Sequence, residues 1–176
     1  MVFLLAAAYT PMHVSAKTWS ANINTETITV KNIFNELLDP YLVIKDALVN
    51  EDAQKAKEAS QKLLLALNSM PKTGLSEDFH KSYLKAQKEL ISQTEKISNS
   101  KNIAQQRTAF AELSKALFPL AKAAKLDSTV YYQNCPMYAQ GKGGNWLSLE
   151  KPIRNPLYGK KMLSCGSTVE TISNKE

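Results

Sequence analysis

Four stretches of this chain repeat apolar residues at steps of three and four, and that spacing restricts what it can fold into. In the first, Val30, Ile33, Leu37, Tyr41, Ile44 and Leu48 share one stripe, widened by Phe34 and Leu38. This is the period of a helix with one face turned to a core, not of a strand. Pro40 lies inside the stripe and predicts a kink or break near Asp39; the unbroken apolar register favours the kink. The second stretch carries Ala53, Ala56, Ser60, Leu63, Leu67 and Met70, and its small residues predict a close approach by a neighbouring helix. The third carries Phe79, Tyr83, Ala86, Leu90 and Ile97, and the fourth Ile103, Gln106, Phe110, Leu113, Leu117, Leu120 and Ala124.

The connections between these stretches are short and polar. Asn50 is the expected cap of the second helix and Ser76 that of the third. Asn102 with Gln105 resembles a capping box built from amides. Short connections make antiparallel neighbours, so the expected fold class is all-α: an up-down-up-down four-helix bundle over residues 29–126. An irregular C-terminal tail containing cysteine and methionine follows over 127–172, packed on the bundle, and 173–176 is expected to fray. Within the tail, Thr129 to Tyr132 is expected to run extended, Trp146 to Lys151 to make one helical turn, and the stretch from Ser167 to add a short helix.

Residues 1–16 are expected to be an export signal. Val2 to Tyr9 is almost wholly apolar, and Val14-Ser15-Ala16 offers small residues for cleavage, although no Lys or Arg precedes Lys17. Residues 17–28 are polar and form an arm, with Trp19 free to dock. His13 falls within the signal, which leaves His80 as a surface histidine and provides no histidine-rich metal site. No apolar run reaches the roughly 20 residues of a spanning helix, so no transmembrane segment is expected in the mature chain. The net charge of +6 comes from lysines scattered among acids and amides, with only Arg107 and Arg154 as arginines. That pattern describes solvated helix faces rather than a nucleic-acid stripe. It is compatible with weak contact to an anionic membrane surface or an acidic partner.

The tail concentrates the unusual chemistry. Between Val130 and Gly166 lie both cysteines, five of the six glycines and three of the seven prolines. Cys135-Pro136-Met137 and Met162 with Cys165 stand as two soft-ligand pairs. Two thiolates and two thioethers suit Cu(I) or Ag(I) rather than zinc or calcium. The same cysteines in an exported protein also suit a Cys135–Cys165 disulfide, worth about 2–4 kcal/mol chiefly through the unfolded state. Two free thiols are the third reading. Neither cysteine has a base partner in the sequence, and Gly141-Lys142-Gly143-Gly144 does not open a helix, so no enzyme is expected.

The composite of Cys135-Pro136-Met137, Trp146-Leu147-Ser148, Ile153-Arg154-Asn155-Pro156, Tyr158-Gly159 and Met162 to Cys165-Gly166 closely resembles the DUF3347 family of exported bacterial proteins, over Thr29 to Ile172. That family has no assigned function. Its domain occurs alone or attached to periplasmic adaptor proteins of heavy-metal efflux systems related to copper and silver exporters. The resemblance implies metal handling and matches the family's soft residues to Cys135, Met137, Met162 and Cys165. Asn134 stands where relatives often carry an aromatic residue or histidine, and Leu157 where an aromatic residue is common. The expectation is therefore an exported soft-metal protein that captures or delivers Cu(I), with Ag(I) as the alternative, in the periplasm or cell envelope. Its expected partner is an envelope metal-efflux or metal-delivery protein. If Cys135–Cys165 is a permanent disulfide, no ion is bound and the chain is a non-enzymatic, disulfide-stapled helical interaction module.

Overall fold

A computed structural model describes residues 30–173. The expected export signal with His13, the arm with Trp19 and residues 174–176 lie outside the described residues. Four long helices follow the four stripes: α1 Val30–Val49, α2 Ala53–Asn68, α3 Glu77–Asn99 and α4 Ile103–Ala123. The helix α1 runs through Pro40 without interruption. Consecutive helices pack against one another, and their stripes merge into one core in which Phe34, Leu37, Tyr41, Leu63, Phe79, Leu90, Phe110 and Leu117 are buried. Small residues Ala56, Ala59 and Ser60 form part of the buried face of α2.

The helix starts follow from their caps. Ser76 Oγ accepts from Phe79 N–H, and Asn102 Oδ1 accepts from Ala104 and Gln105 N–H. Gln105 does not complete the box, since its side chain accepts from Ser100 Oγ instead. The cap of α2 is Asp52, whose carboxylate accepts from Lys55 N–H, rather than Asn50. Glu51 takes the left-handed conformation (φ 65) that turns the chain between α1 and α2. Buried Gln106 ties two of these connections together, donating to the carbonyls of Ala53 and Ser100.

The all-α expectation needs correction beyond α4. The tail is built on a three-stranded antiparallel sheet in the order β2-β1-β3, with β1 Val130–Cys135, β2 Gly144–Ser148 and β3 Ser167–Ile172. Gly144–Ser148 replaces the helical turn expected from Trp146, because Gln133 pairs with Trp146 and Asn134 with Asn145 in the β1–β2 ladder. The expected final helix is likewise a strand; Thr168, Val169, Thr171 and Ile172 are β-branched residues that fit a pleated surface. The register shifts between Tyr132 and Gln133, which face Glu170 and Thr168, so Val169 is an extra residue bulged outward.

Strand β2 packs on α4 and also reaches α1. One hydrogen-bond chain fixes it there: Leu147 N–H donates to Tyr41 Oη at 2.9 Å, Tyr41 and Ser114 hydroxyls lie 2.7 Å apart, and Ser114 Oγ donates to Phe110 O. With Ser114 committed to Phe110, Tyr41 is the donor to Ser114. Lys45, only 3% exposed, reaches Asp46 at 3.1 Å and the tail's Glu150 at 3.7 Å.

Burial raises the Tyr41 pKa beyond the ordinary tyrosine range, and burial with the nearby carboxylates of Glu170 and Glu112 pushes Tyr132 up to about 12. An unfolded tyrosine loses its proton near 10, whereas these folded ones keep theirs. The native state therefore holds more protons above about pH 10, and stability falls as pH rises through that range. Denaturant melts at pH 7 and pH 10.5 should show this loss. Tyr41→Phe should cost about 2 kcal/mol at pH 7, leaving Leu147 N–H without its acceptor, and should shrink the alkaline loss.

Candidate functional site

The two cysteines meet at one end of the sheet. Cys135 is the last residue of β1 and is fully buried. Opposite it in the ladder is Gly144, where any side chain would collide with Leu157 and the Tyr138 ring. Cys165 lies between the 3₁₀ turn Gly159–Met162 and β3, and is partly exposed. Gly166 lets the chain pass close to β1: its φ is +140, and a Cβ there would stand 2.7 Å from the Asn134 carbonyl oxygen and 3.1 Å from the Trp146 ring. The result is a Cys135 Sγ to Cys165 Sγ distance of 2.8 Å across 30 residues of sequence, with both thiols free.

Both expected methionine positions gather at Cys165 through their backbones. Cys165 N–H donates to Met162 O at 3.0 Å, and a backbone hydrogen bond from Met137 reaches the Cys165 sulfur. The Met137 side chain is 58% exposed, and its carbonyl accepts from Tyr158 Oη at 3.0 Å. Tyr138 and Tyr158 meet edge to face beside it. The hydrogen bond with Cys135 is the main cause that raises the Cys165 pKa, with desolvation and the Cys135 charge behind it and the Met137 contact opposing. The thiol is thus the favoured form at neutral pH, and an ion taken up there would have to displace a proton.

The residues that hold Cys165 were not assigned a role from sequence. Buried Asn155 is the hub: its N–H donates to Leu163 O at 2.8 Å and its Nδ2 to Cys165 O at 2.9 Å. Its Oδ1 accepts from Leu157 N–H at 2.8 Å and Tyr158 N–H at 3.2 Å. An Asn-Pro pair before a glycine was a readable signal for such a side-chain-closed turn. Arg107, 9% exposed on α4, donates from Nε to Pro156 O and from Nη2 to Leu48 O, each at 3.0 Å. Gly159, at φ +60, has no room for a Cβ beside that guanidinium. Gln133 anchors the opposite flank, accepting from Trp146 Nε1 at 2.7 Å and donating to the Glu150 and Lys151 carbonyls.

Chemically, the pair stands close to bond formation. A disulfide needs about 2.05 Å. An ion held at roughly 2.3 Å from each sulfur would, at the present separation, see an angle of only about 75°, so loading requires the sulfurs to open by about 1–2 Å. Cys165 is the partly exposed member of the pair, and Cys135 the buried one. Among the described residues no three His, Cys, Asp or Glu side chains form a group able to hold a metal. An ion at this pair would therefore draw further ligands from Met137, Met162 or the medium. His80 sits half-buried on α3 and is not part of the site. No helix among the described residues is long and apolar enough to cross a membrane.

No curated protein and no solved structure matches the chain. A family model described as "Protein of unknown function (DUF3347)" matches residues 37–129, just over half of the chain. It covers α1 from Leu37 onward and all of α2, α3 and α4, and ends one residue before β1, so the sulfur residues lie beyond the matched segment. On the strength of that helical match, the chain belongs to the DUF3347 family.

Proposed function

We propose that this protein captures or delivers a soft monovalent ion, Cu(I) or alternatively Ag(I), in the cell envelope. Its ligands are the thiolates of Cys135 and Cys165, with Met137 and Met162 as thioether ligands, and it carries out no catalysis of its own. The observation that carries the reading is the convergence of the two sulfurs to 2.8 Å, with the backbones of both methionines bonded to Cys165. Sulfur ligands of this kind select soft ions. Partial exposure of Cys165 leaves a route for exchange with an envelope metal-efflux or metal-delivery protein. The four helices, in this reading, run up-down-up-down as a bundle that serves as the platform for the tail; their short connections support that order.

Titrating the reduced protein with Cu(I) against a competing chelator tests the site. Changing Cys135 and Cys165 together to serine should weaken binding by at least about a hundredfold, because both anionic ligands are lost. Equal affinity in the two proteins would remove the assignment.

A second reading is favoured by the same short separation: a disulfide that staples the tail in a helical interaction module. It predicts that no thiols are titratable in protein isolated from the envelope without reductant.

A further inference from the structure

We propose that Cys135 and Cys165 form a reversible thiol–disulfide site for small organic disulfides, in which Cys165 exchanges first and Cys135 closes the bond. The sulfurs stand 2.8 Å apart. Reaching a bond of about 2.05 Å asks each to move by roughly 0.4 Å.

Neither backbone has to follow, because each cysteine is positioned by bonds that do not involve its sulfur. Cys135 ends a central strand flanked by β2 and β3. The Cys165 carbonyl is held by Asn155, and its N–H by Met162 O. The remainder of the tail is tied to the helices through Leu147 to Tyr41 and Pro156 to Arg107. A staple that alone retains a loop belongs on a segment with few other ties. Here the ties run through groups other than the two sulfurs, so one backbone can serve both oxidation states.

Burial sets the order of events. An incoming disulfide reaches partly exposed Cys165 but not buried Cys135. The Cys165 thiolate attacks one sulfur of R–S–S–R, forming a mixed disulfide and releasing RS⁻. The Cys135 thiolate then attacks the Cys165 sulfur, breaking the mixed disulfide and expelling the second RS⁻. The two thiol protons pass to the two RS⁻. In total, two electrons and two protons move from the protein to R–S–S–R, which leaves as two RSH. The inference leans on the metal reading only for its consequence: oxidation withdraws both thiolates, so a soft ion is released or refused.

The test uses the metal-free full chain in buffers of reduced and oxidised glutathione, quenched with acid, alkylated and mapped by mass. Both thiols should disappear together as the ratio is made oxidising and return with excess reduced glutathione, with an unchanged far-ultraviolet circular dichroism spectrum. Early in the reaction, the glutathione adduct should sit on Cys165 at least tenfold more often than on Cys135. In Cys135→Ser, which lacks the closing thiol, the adduct at Cys165 should persist. A disulfide untouched by excess reduced glutathione, a dithiol untouched by excess oxidised glutathione, or a first adduct on Cys135 would each overturn the proposal. Because no metal is present, these outcomes are separate from the Cu(I) titration, and either can fail while the other stands.

Discussion

Arg107→Ala is expected to destabilise the protein by about 3 kcal/mol and to release the tail from the helices before the helices themselves melt. The guanidinium donates to two carbonyls from separate parts of the chain, Leu48 at the end of α1 and Pro156 in the tail. A buried acceptor left unpaired costs roughly 1–3 kcal/mol; Pro156 O is left so, whereas Leu48 O loses its charged donor but keeps the Glu51 N–H at 3.3 Å. The 3.6 Å pairing with half-exposed Glu51 adds little, since surface ion pairs are worth about 0–1 kcal/mol. Arg107→Lys should recover only part of the loss, because an ammonium cannot place two donors in the fixed fork that spans both carbonyls. Chemical denaturation followed by both circular dichroism and Trp146 fluorescence would show the two transitions separating. Coincident transitions at wild-type stability would show that Arg107 does not hold the tail.

Asn155→Ala should cost about 3 kcal/mol and, more tellingly, expose Cys165. It leaves the Leu157 and Tyr158 N–H groups without an acceptor and the Cys165 carbonyl without a donor. Asn155→Asp separates those effects. The carboxylate still accepts from the two amides but turns its second oxygen against the Cys165 carbonyl. The turn should therefore survive in the aspartate variant while Cys165 is pushed away. Alkylation of Cys165 by a neutral reagent should accelerate by about tenfold in both variants, as the local opening cost falls by roughly 1.4 kcal/mol or more. If the aspartate variant matched wild type, Asn155 would be a turn residue with no hold on the thiol.

The helical part of the fold was legible because its signals are local. Stripes such as Phe79, Tyr83, Leu90 and Ile97, and caps such as Ser76 and Asn102, need no distant partner to be recognised. Gln106 was readable as buried from its place in the α4 stripe, though not the carbonyls it bonds. The sheet was hidden by the opposite circumstance. In β2, Trp146, Leu147 and Ser148 are all buried, so no alternation marks Gly144–Ser148 as a strand. It pairs along one edge with β1 and packs on α4, and that covering is tertiary. For β3, the β-branched run from Thr168 to Ile172 was a usable sign. In the site, the approach of Cys135 to Cys165 depends on Gly144, Gly166 and Asn155, whose glycine and amide types were visible but whose geometry is set by the strands around them.

The bond from Leu147 to Tyr41 joins residues 106 positions apart. Contacts of such long range form late in folding, because the loop they close must be ordered before the contact is rewarded. The helices can collapse on themselves as soon as residue 126 is available, whereas β1 waits for partners that both lie further along the chain. While the chain is being made, Cys135 therefore emerges 30 residues before Cys165 exists to meet it. With only two cysteines in the whole chain, that delay carries no danger of mispairing within one molecule. Its hazard is exchange with another molecule's disulfide, and docking of the final strand withdraws buried Cys135 from that exchange.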